Sequence, residues 1–234
     1  MRLPDAVEVE DDGVLVNSEE VAWAAWGRAL AQQGYELTAE DRVLQTGETR
    51  EGNLAYFGER ASIAELERFE EALGHDMRAA FDEHLVAYDD AHRLLAALEA
   101  RGVPIAVASN GGRAGVEHRL VATGLRQHVS VVVSKDDVER PKPAPDPYLE
   151  ACRRLGTPGV RTVGVEDSTH GVRSARDAGL GVLAVAREHV GAEHLGAAHL
   201  VVTALDLAAI AEARARRLGD APASARDGGI GGFG

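Results

Sequence analysis

The chain has 234 residues, 45% of them hydrophobic and 27% charged, which suits a packed soluble domain with an insert. Its formal net charge is −13 with no basic patch, so a duplex-binding surface is excluded and no nucleic-acid partner is expected. No apolar run approaches the ~20 residues of a membrane helix, the start Met1-Arg2-Leu3-Pro4-Asp5 lacks a signal peptide's apolar stretch, and the single cysteine, Cys152, forbids an intrachain disulfide; the expected location is the cytoplasm, with no membrane partner.

In chain order, Val7-Glu8-Val9 reads as a short strand running into Glu10-Asp11-Asp12-Gly13. Strand alternation sets Asp11 opposite Glu10 and Asp12, which predicts a surface position for it. Residues 19–84 contain no convincing strand. Val21 to Gln33 is an Ala-rich helix whose Trp23 and Trp26, three apart, either pack the core of this segment or wall a ligand pocket. Thr38 and Ser62 read as N-caps, the latter opening the capping box Ser62-Ile63-Ala64-Glu65. From Ala91 onward helices and strands alternate. Ala91 to Ala100 is a helix with Leu94, Leu95 and Leu98 on one side, ended by Arg101-Gly102. Ile105–Ala108 is a buried strand, Gly115–Ala122 a helix stopped by Gly124, and Val129–Val133 a strand. Asp146 reads as the cap of a helix to Leu155 in which Cys152 is a packed thiol. Thr162–Val165 is a strand, Gly171–Ala178 a helix closed by Gly179, and Gly181–Val185 and Leu200–Val202 are the last strands. Thr203 reads as the cap of a final helix to about Leu218. The Gly-, Ala-, Ser- and Asp-rich stretch 219–234 reads as a flexible tail. Short all-apolar strands separated by helices imply an α/β fold with a Rossmann-like parallel sheet covered on both faces. The predicted organisation is a sheet core of residues 1–18 and 85–218 with a helical insert over 19–84.

In such a sheet, ligands bind at the carboxyl ends of the strands. The first strand delivers Glu10 and Asp12, the second Ser109-Asn110-Gly111, and the fourth Glu166-Asp167-Ser168. A loop after the third carries Lys142 within Arg140-Pro141-Lys142-Pro143-Ala144-Pro145-Asp146. Carboxylates, a hydroxyl and a lysine on one face suit phosphoryl transfer. Carboxylate oxygens hold Mg²⁺, and metal and lysine neutralise the phosphate oxygens. One carboxylate can form an acyl-phosphate, and a second can move the proton.

Together these motifs resemble the haloacid dehalogenase-like (HAD) phosphohydrolases over roughly Val7 to Ala204. Glu10-Asp11-Asp12-Gly13-Val14-Leu15-Val16-Asn17-Ser18 resembles the family's Asp-x-Asp-Gly motif, with Glu10 where the nucleophilic aspartate stands. Ser109-Asn110, Lys142-Pro143-Ala144-Pro145-Asp146 and Glu166-Asp167-Ser168-x-x-Gly171 resemble the second, third and fourth motifs. The resemblance implies that the insert is a helical cap that closes over the site. It implies Mg²⁺ on Glu10, the Asp12 carbonyl and Asp167, with Glu166 beside it. It implies phosphate on Ser109, Asn110 and Lys142, and Asp12 as general acid/base. Thr46-Gly47-Glu48-Thr49-Arg50 resembles the family's specificity loop, so Arg50 either holds a second anionic group of the substrate or is solvated. Arg113 is open in the same way.

The implied activity is hydrolysis of small, sugar phosphate-like monoesters by a monomer or small homo-oligomer. One methylene separates Glu10 from the usual aspartate, and a misplacement of about 1 Å can cost about a hundredfold in rate. A weakly active or non-catalytic phosphate-binding protein is therefore one alternative. A β-phosphoglucomutase-like sugar phosphomutase is another. Ala22, where mutases of this family usually carry a histidine, speaks against it.

Overall fold

The computed structural model describes residues 2–46, 48–187 and 191–219. Six parallel strands form one sheet in the order β3-β2-β1-β4-β5-β6: β1 (Ala6–Val9), β2 (Ile105–Ala108), β3 (Val131–Val133), β4 (Thr162–Glu166), β5 (Gly181–Val185) and β6 (Leu200–Val202). The register pairs Val7 with Ile105 on one side and with Val163 on the other. The chain leaves β1 toward β2 and β3, then crosses back to β4 on its other flank. The reversal places the topological switch point at the end of β1, where open α/β sheets bind ligands.

Both faces of the sheet are covered, which is why its strands are almost wholly apolar. On one face Val7, Val9, Val107 and Val165 pack with Leu94, Leu95 and Leu98 of α5 (Asp89–Glu99), Leu120 of α6 (Arg113–Ala122) and Ile210 of α9 (Leu207–Leu218). On the other, Ala106, Ala108 and Val182 pack with Tyr148, Ala151 and Cys152 of α7 (Asp146–Leu155) and Val172 and Ala175 of α8 (Thr169–Asp177).

Between β1 and α5 lie α1 (Ser18–Gln32), α2 (Ala39–Gln45), α3 (Arg50–Arg60) and α4 (Leu66–His84). They share an apolar cluster of their own, built on Trp23, Trp26, Phe57, Phe69 and Leu73, with Trp26 and Phe57 ring centroids 5.2 Å apart. The two connections into this unit are tied together. The Asn17 side chain donates to the His84 carbonyl at 3.1 Å and accepts from the Val86 N–H at 2.8 Å, while the Asn17 N–H donates to the Val86 carbonyl.

Several local expectations are corrected. Ser62 forms no capping box: its φ of 51° is left-handed and α4 begins at Leu66 behind Glu65. Thr38 does cap α2, sharing reciprocal bonds with Asp41. Asp146 is the first residue of α7 rather than its cap, and its carboxylate pairs bidentately with Arg140 at 2.8 and 3.0 Å. Asp206, not Thr203, caps α9 by accepting the Ala209 N–H at 2.7 Å. Of the expected tail, Gly219 ends α9 with φ 73°, and the rest lies outside the described residues. None of the described helices is long and apolar enough to cross a membrane.

Candidate active site

The ends of β1, β2 and β4 and the loop before α7 bring Glu10, Asp12, Ser109, Asn110, Lys142, Glu166 and Asp167 to the switch point. Glu10 is buried against its own backbone. Its Oε1 accepts the N–H groups of Asp11 at 2.9 Å and Asp12 at 3.3 Å, and its Oε2 accepts Lys142 Nζ at 2.6 Å. Asp12 is only half-buried, and its Oδ1 accepts the Ser18 hydroxyl at 2.5 Å. The Ser109 hydroxyl, 1% exposed as a residue, accepts the Gly111 N–H at 3.1 Å. Asn110 grips the Lys142 main chain from both sides: its Oδ1 accepts the Lys142 N–H at 2.8 Å and its Nδ2 donates to the Lys142 carbonyl at 2.9 Å.

Lys142 is the electrostatic centre. Its Nζ also donates to Glu166 Oε1 at 2.5 Å, and the Tyr148 hydroxyl donates to the same oxygen at 2.5 Å. Burial alone would lower the lysine pKa, but the Glu10 and Glu166 carboxylates outweigh it and hold the ammonium charged beyond its ordinary range. Burial works against ionisation of Glu10, and the Lys142 ammonium 2.6 Å from its Oε2 opposes that effect, so one cation is shared by two buried acids as an ion-paired cluster. Glu166 owes its place to Gly171 in the first turn of α8, where an added Cβ would stand 2.0 Å from the carboxyl.

Two further carboxylates, Asp11 and Glu8, are buried beside this cluster. Asp11 is fully buried instead of on the surface, because β1 ends at Val9 and alternation no longer governs the turn that follows. Its Oδ2 accepts both Arg119 Nε and Nη2 at 2.7 Å. Burial would raise the Asp11 pKa, but the Arg119 guanidinium overrides it and keeps the carboxyl below its ordinary value. Glu8, inside β1, faces α7 with both side-chain oxygens buried and without a normal hydrogen-bond partner. Burial lifts its pKa from 4.5 to about 8, with the Cys152 thiol and Lys142 opposing the rise.

For Glu8 the direction fixes a pH dependence. A carboxyl that keeps its proton in the folded state while the unfolded chain has lost it makes stability fall as pH rises from near 4.5 to about 8. We expect Glu8→Gln to remove that fall, so that the gap in unfolding free energy between variant and parent moves in the variant's favour by a few kcal/mol between pH 4.5 and pH 8. Each pH step of one between those values contributes roughly 1.4 kcal/mol. Denaturant titrations in EDTA measure it; parallel pH profiles would show that Glu8 is ionised in the fold.

Above the strand ends lies a cavity of about 440 Å³, roofed by α1 to α4. Glu10, Asp12, Ser109, Asn110 and Asp167 line its floor, and Trp23, Trp26 and Phe81 its apolar wall. The two tryptophans thus serve both readings, since each is also 3% exposed within the helical cluster. Arg50 lines the cavity while its guanidinium is engaged by Glu70, through the carboxylate at 3.4 Å and the carbonyl at 3.0 Å. Arg113 pairs with Asp137 and donates to the Val132 carbonyl at 3.1 Å. Roof and floor are joined by Lys135 with Glu51 at 2.5 Å and by His170 with Glu48 at 3.4 Å. Ala22 also faces the cavity.

Residues 11–185 match the haloacid dehalogenase-like hydrolases. The chain belongs to that family. The chain is 32% identical over 185 residues to the validoxylamine A 7'-phosphate phosphatase of Streptomyces hygroscopicus subsp. limoneus, covering 76% of this chain and 84% of that protein. It is 28% identical over 179 residues to the phosphorylated carbohydrates phosphatase of Thermotoga maritima, covering 75% and 82%. A HAD family hydrolase from Deinococcus radiodurans R1, solved with bound phosphate and sodium, superposes with a TM-score of 0.71 at 31% identity, covering 92% of this chain and 95% of that one. The chain spans 18% and 49% of the length of two longer Arabidopsis thaliana relatives that it also matches.

Among the described residues no group of three or more His, Cys, Asp or Glu side chains forms a ready-made metal cage. Mg²⁺ does not require one, because it binds through one or two carboxylates and keeps several waters. The Asp167 carboxylate at the cavity floor is an oxygen donor of that kind, and the Asp12 main chain lies beside it on the same floor. Glu10 fits less readily, because protein donors already bond both of its oxygens.

Proposed function

We propose that this hydrolase cleaves small phosphomonoesters with a sugar phosphate-like leaving group, with Mg²⁺ as cofactor. The observation that carries the reading is Lys142: a buried ammonium at the switch point, bonded to Glu166 and to Glu10, which lines the floor of a cavity shared with Asp12 and Ser109. The names of the Streptomyces and Thermotoga relatives support the substrate class. Ala22 on the cavity wall, where a mutase of this family carries a histidine, favours hydrolysis over phosphoryl migration.

In this reading, Asp167, the Asp12 main chain and, once turned toward the cavity, Glu10 would hold Mg²⁺, which would supply positive charge to the transferring group. Lys142 neutralises phosphate oxygens, and Ser109 and the amides after it orient them. Glu10, once released from the amides and Lys142, is the carboxylate that would take the phosphoryl group, and Asp12 protonates the leaving oxygen and then takes a proton from water. Asn110 acts on Lys142, whose main chain it holds; Glu166 and Tyr148 fix the ammonium. The aromatic wall and the helical roof admit a small leaving group and exclude water during transfer.

A panel of phosphate esters, assayed with Mg²⁺ and with EDTA, tests the reading. Turnover of at least one sugar phosphate is expected only with Mg²⁺. Lys142→Ala is expected to lower that rate by about 10²–10³-fold, the effect typical of one preorganised charge contact. An unchanged rate in Lys142→Ala would assign the activity to another protein in the preparation.

A further inference from the structure

Glu10 Oε1 accepts two consecutive main-chain N–H groups, those of Asp11 at 2.9 Å and Asp12 at 3.3 Å. Successive amides that converge on one point form an anion nest. Lys142 Nζ, 2.6 Å from Oε2, adds a full positive charge on the other side of the same carboxylate. Amides and an ammonium aimed at one small anion are the donors that bind an oxyanion such as phosphate. Here the anion in the nest is the chain's own side chain. Glu10 is 7% exposed and lines the cavity floor, so its carboxylate lies between the cavity and those donors.

The length of the side chain makes this possible. Glu10 leaves the sheet where β1 ends, its own N–H still bonded to the Val165 carbonyl at 3.0 Å. From that anchored position, two methylenes let the carboxyl double back over the next two amides.

We propose that Glu10 occupies the anion nest of its own active site, so that a phosphate group gains the Asp11 and Asp12 amides and Lys142 only by displacing the Glu10 carboxylate. The proposal rests on the phosphatase reading for the identity of the competing anion. The nest has two arrangements, one filled by Glu10 and one filled by ligand, and the ligand's apparent affinity is reduced by the fraction of molecules in the first.

Binding of inorganic phosphate in EDTA tests this without turnover. Three proteins separate occupancy from charge. The parent keeps both. Glu10→Gln removes the charge but keeps an oxygen that can reach the amides. Glu10→Ala removes both. The expected order of affinity is Glu10→Ala tightest, at least tenfold above Glu10→Gln, with the parent weakest. Phosphate is also expected to shift the Asp11 and Asp12 amide resonances in Glu10→Ala far more than in the parent. If Glu10→Ala binds no tighter than Glu10→Gln, only charge repulsion is at work and the proposal fails. It fails equally if the parent already binds as tightly as Glu10→Ala. Should Glu10→Ala not fold, Glu10→Ser empties the nest in the same way. A protein that shows the expected order yet hydrolyses no ester with Mg²⁺ would keep the occupied nest and lose the phosphatase reading.

Discussion

Asp12→Asn is expected to lower ester turnover by about 10²–10⁴-fold, the range for loss of a positioned general acid/base. Asp12 is half-buried at the cavity floor, and Ser18 Oγ donates to its Oδ1 at 2.5 Å. The amide oxygen of asparagine accepts that bond equally well, so the side chain keeps its direction. The Asp12 main chain is untouched, and so is the Glu10–Lys142–Glu166 cluster. What asparagine lacks is a proton to exchange at the reacting oxygen. The loss should therefore fall on kcat, with Mg²⁺ affinity by calorimetry and thermal stability close to the parent's. A leaving group that needs no protonation, such as a nitrophenolate, should recover part of the first step. An Asp12→Asn protein that retains parental kcat on a sugar phosphate would remove Asp12 from the chemistry.

The parts of the site readable in the sequence are those that end strands. A strand of four or five apolar residues fixes where its carboxyl end lies, so Glu10, Ser109 and Glu166 follow directly from the positions of β1, β2 and β4. The Pro-rich setting of Lys142 marks a fixed loop, but not what fixes the ammonium. Tyr148 belongs to a helix whose inward face is legible only as apolar, yet its hydroxyl donates to Glu166. The family resemblance implies a phosphate contact for Asn110, and nothing in it indicates that both ends of the side chain also hold the Lys142 main chain. Glu8 interrupts an apolar strand with a charge, and that is a sequence signal for a buried ionisable group. The pairing of Asp11 with Arg119, 108 positions apart, leaves none. Local periodicity carries no information about which basic side chain on α6 reaches across to the turn after β1. The caps show the same limit on a smaller scale: Ser62 and Asp206 both belong to residue types that favour N-caps, and tertiary packing decides that only Asp206 serves.

Arg119→Ala is expected to cost about 3–5 kcal/mol of stability at neutral pH, the penalty for removing one partner of a buried ion pair. Asp11 is wholly out of solvent and Arg119 nearly so, with side-chain exposures of 0% and 9%, so the pair is a buried one although the guanidinium borders the cavity. Two guanidinium nitrogens meet one carboxylate oxygen at 2.7 Å, and Gly111 leaves them room: a Cβ there would stand 2.9 Å from Arg119 Nη2. The pH dependence has a fixed sign. Because the folded pKa of Asp11 is depressed, the pair stabilises the fold above the unfolded carboxyl value, near 4, and that contribution is lost as pH falls through the folded value. In Arg119→Ala the unpaired carboxyl is driven upward by burial instead. The variant should therefore lie furthest below the parent at neutral pH, and the gap should narrow below pH 4. Asp11→Leu combined with Arg119→Met should recover most of the loss, since replacing both partners with apolar groups leaves no buried charge unpaired. Asp11 stands between Glu10 and Asp12, so the single variant should also loosen the turn that carries both and reduce turnover. Denaturant unfolding of parent, single and double variants at pH 7 and pH 4 decides it. A loss under about 1 kcal/mol for Arg119→Ala at pH 7, the size of an exposed pair, would mean that solvent reaches Asp11 in solution.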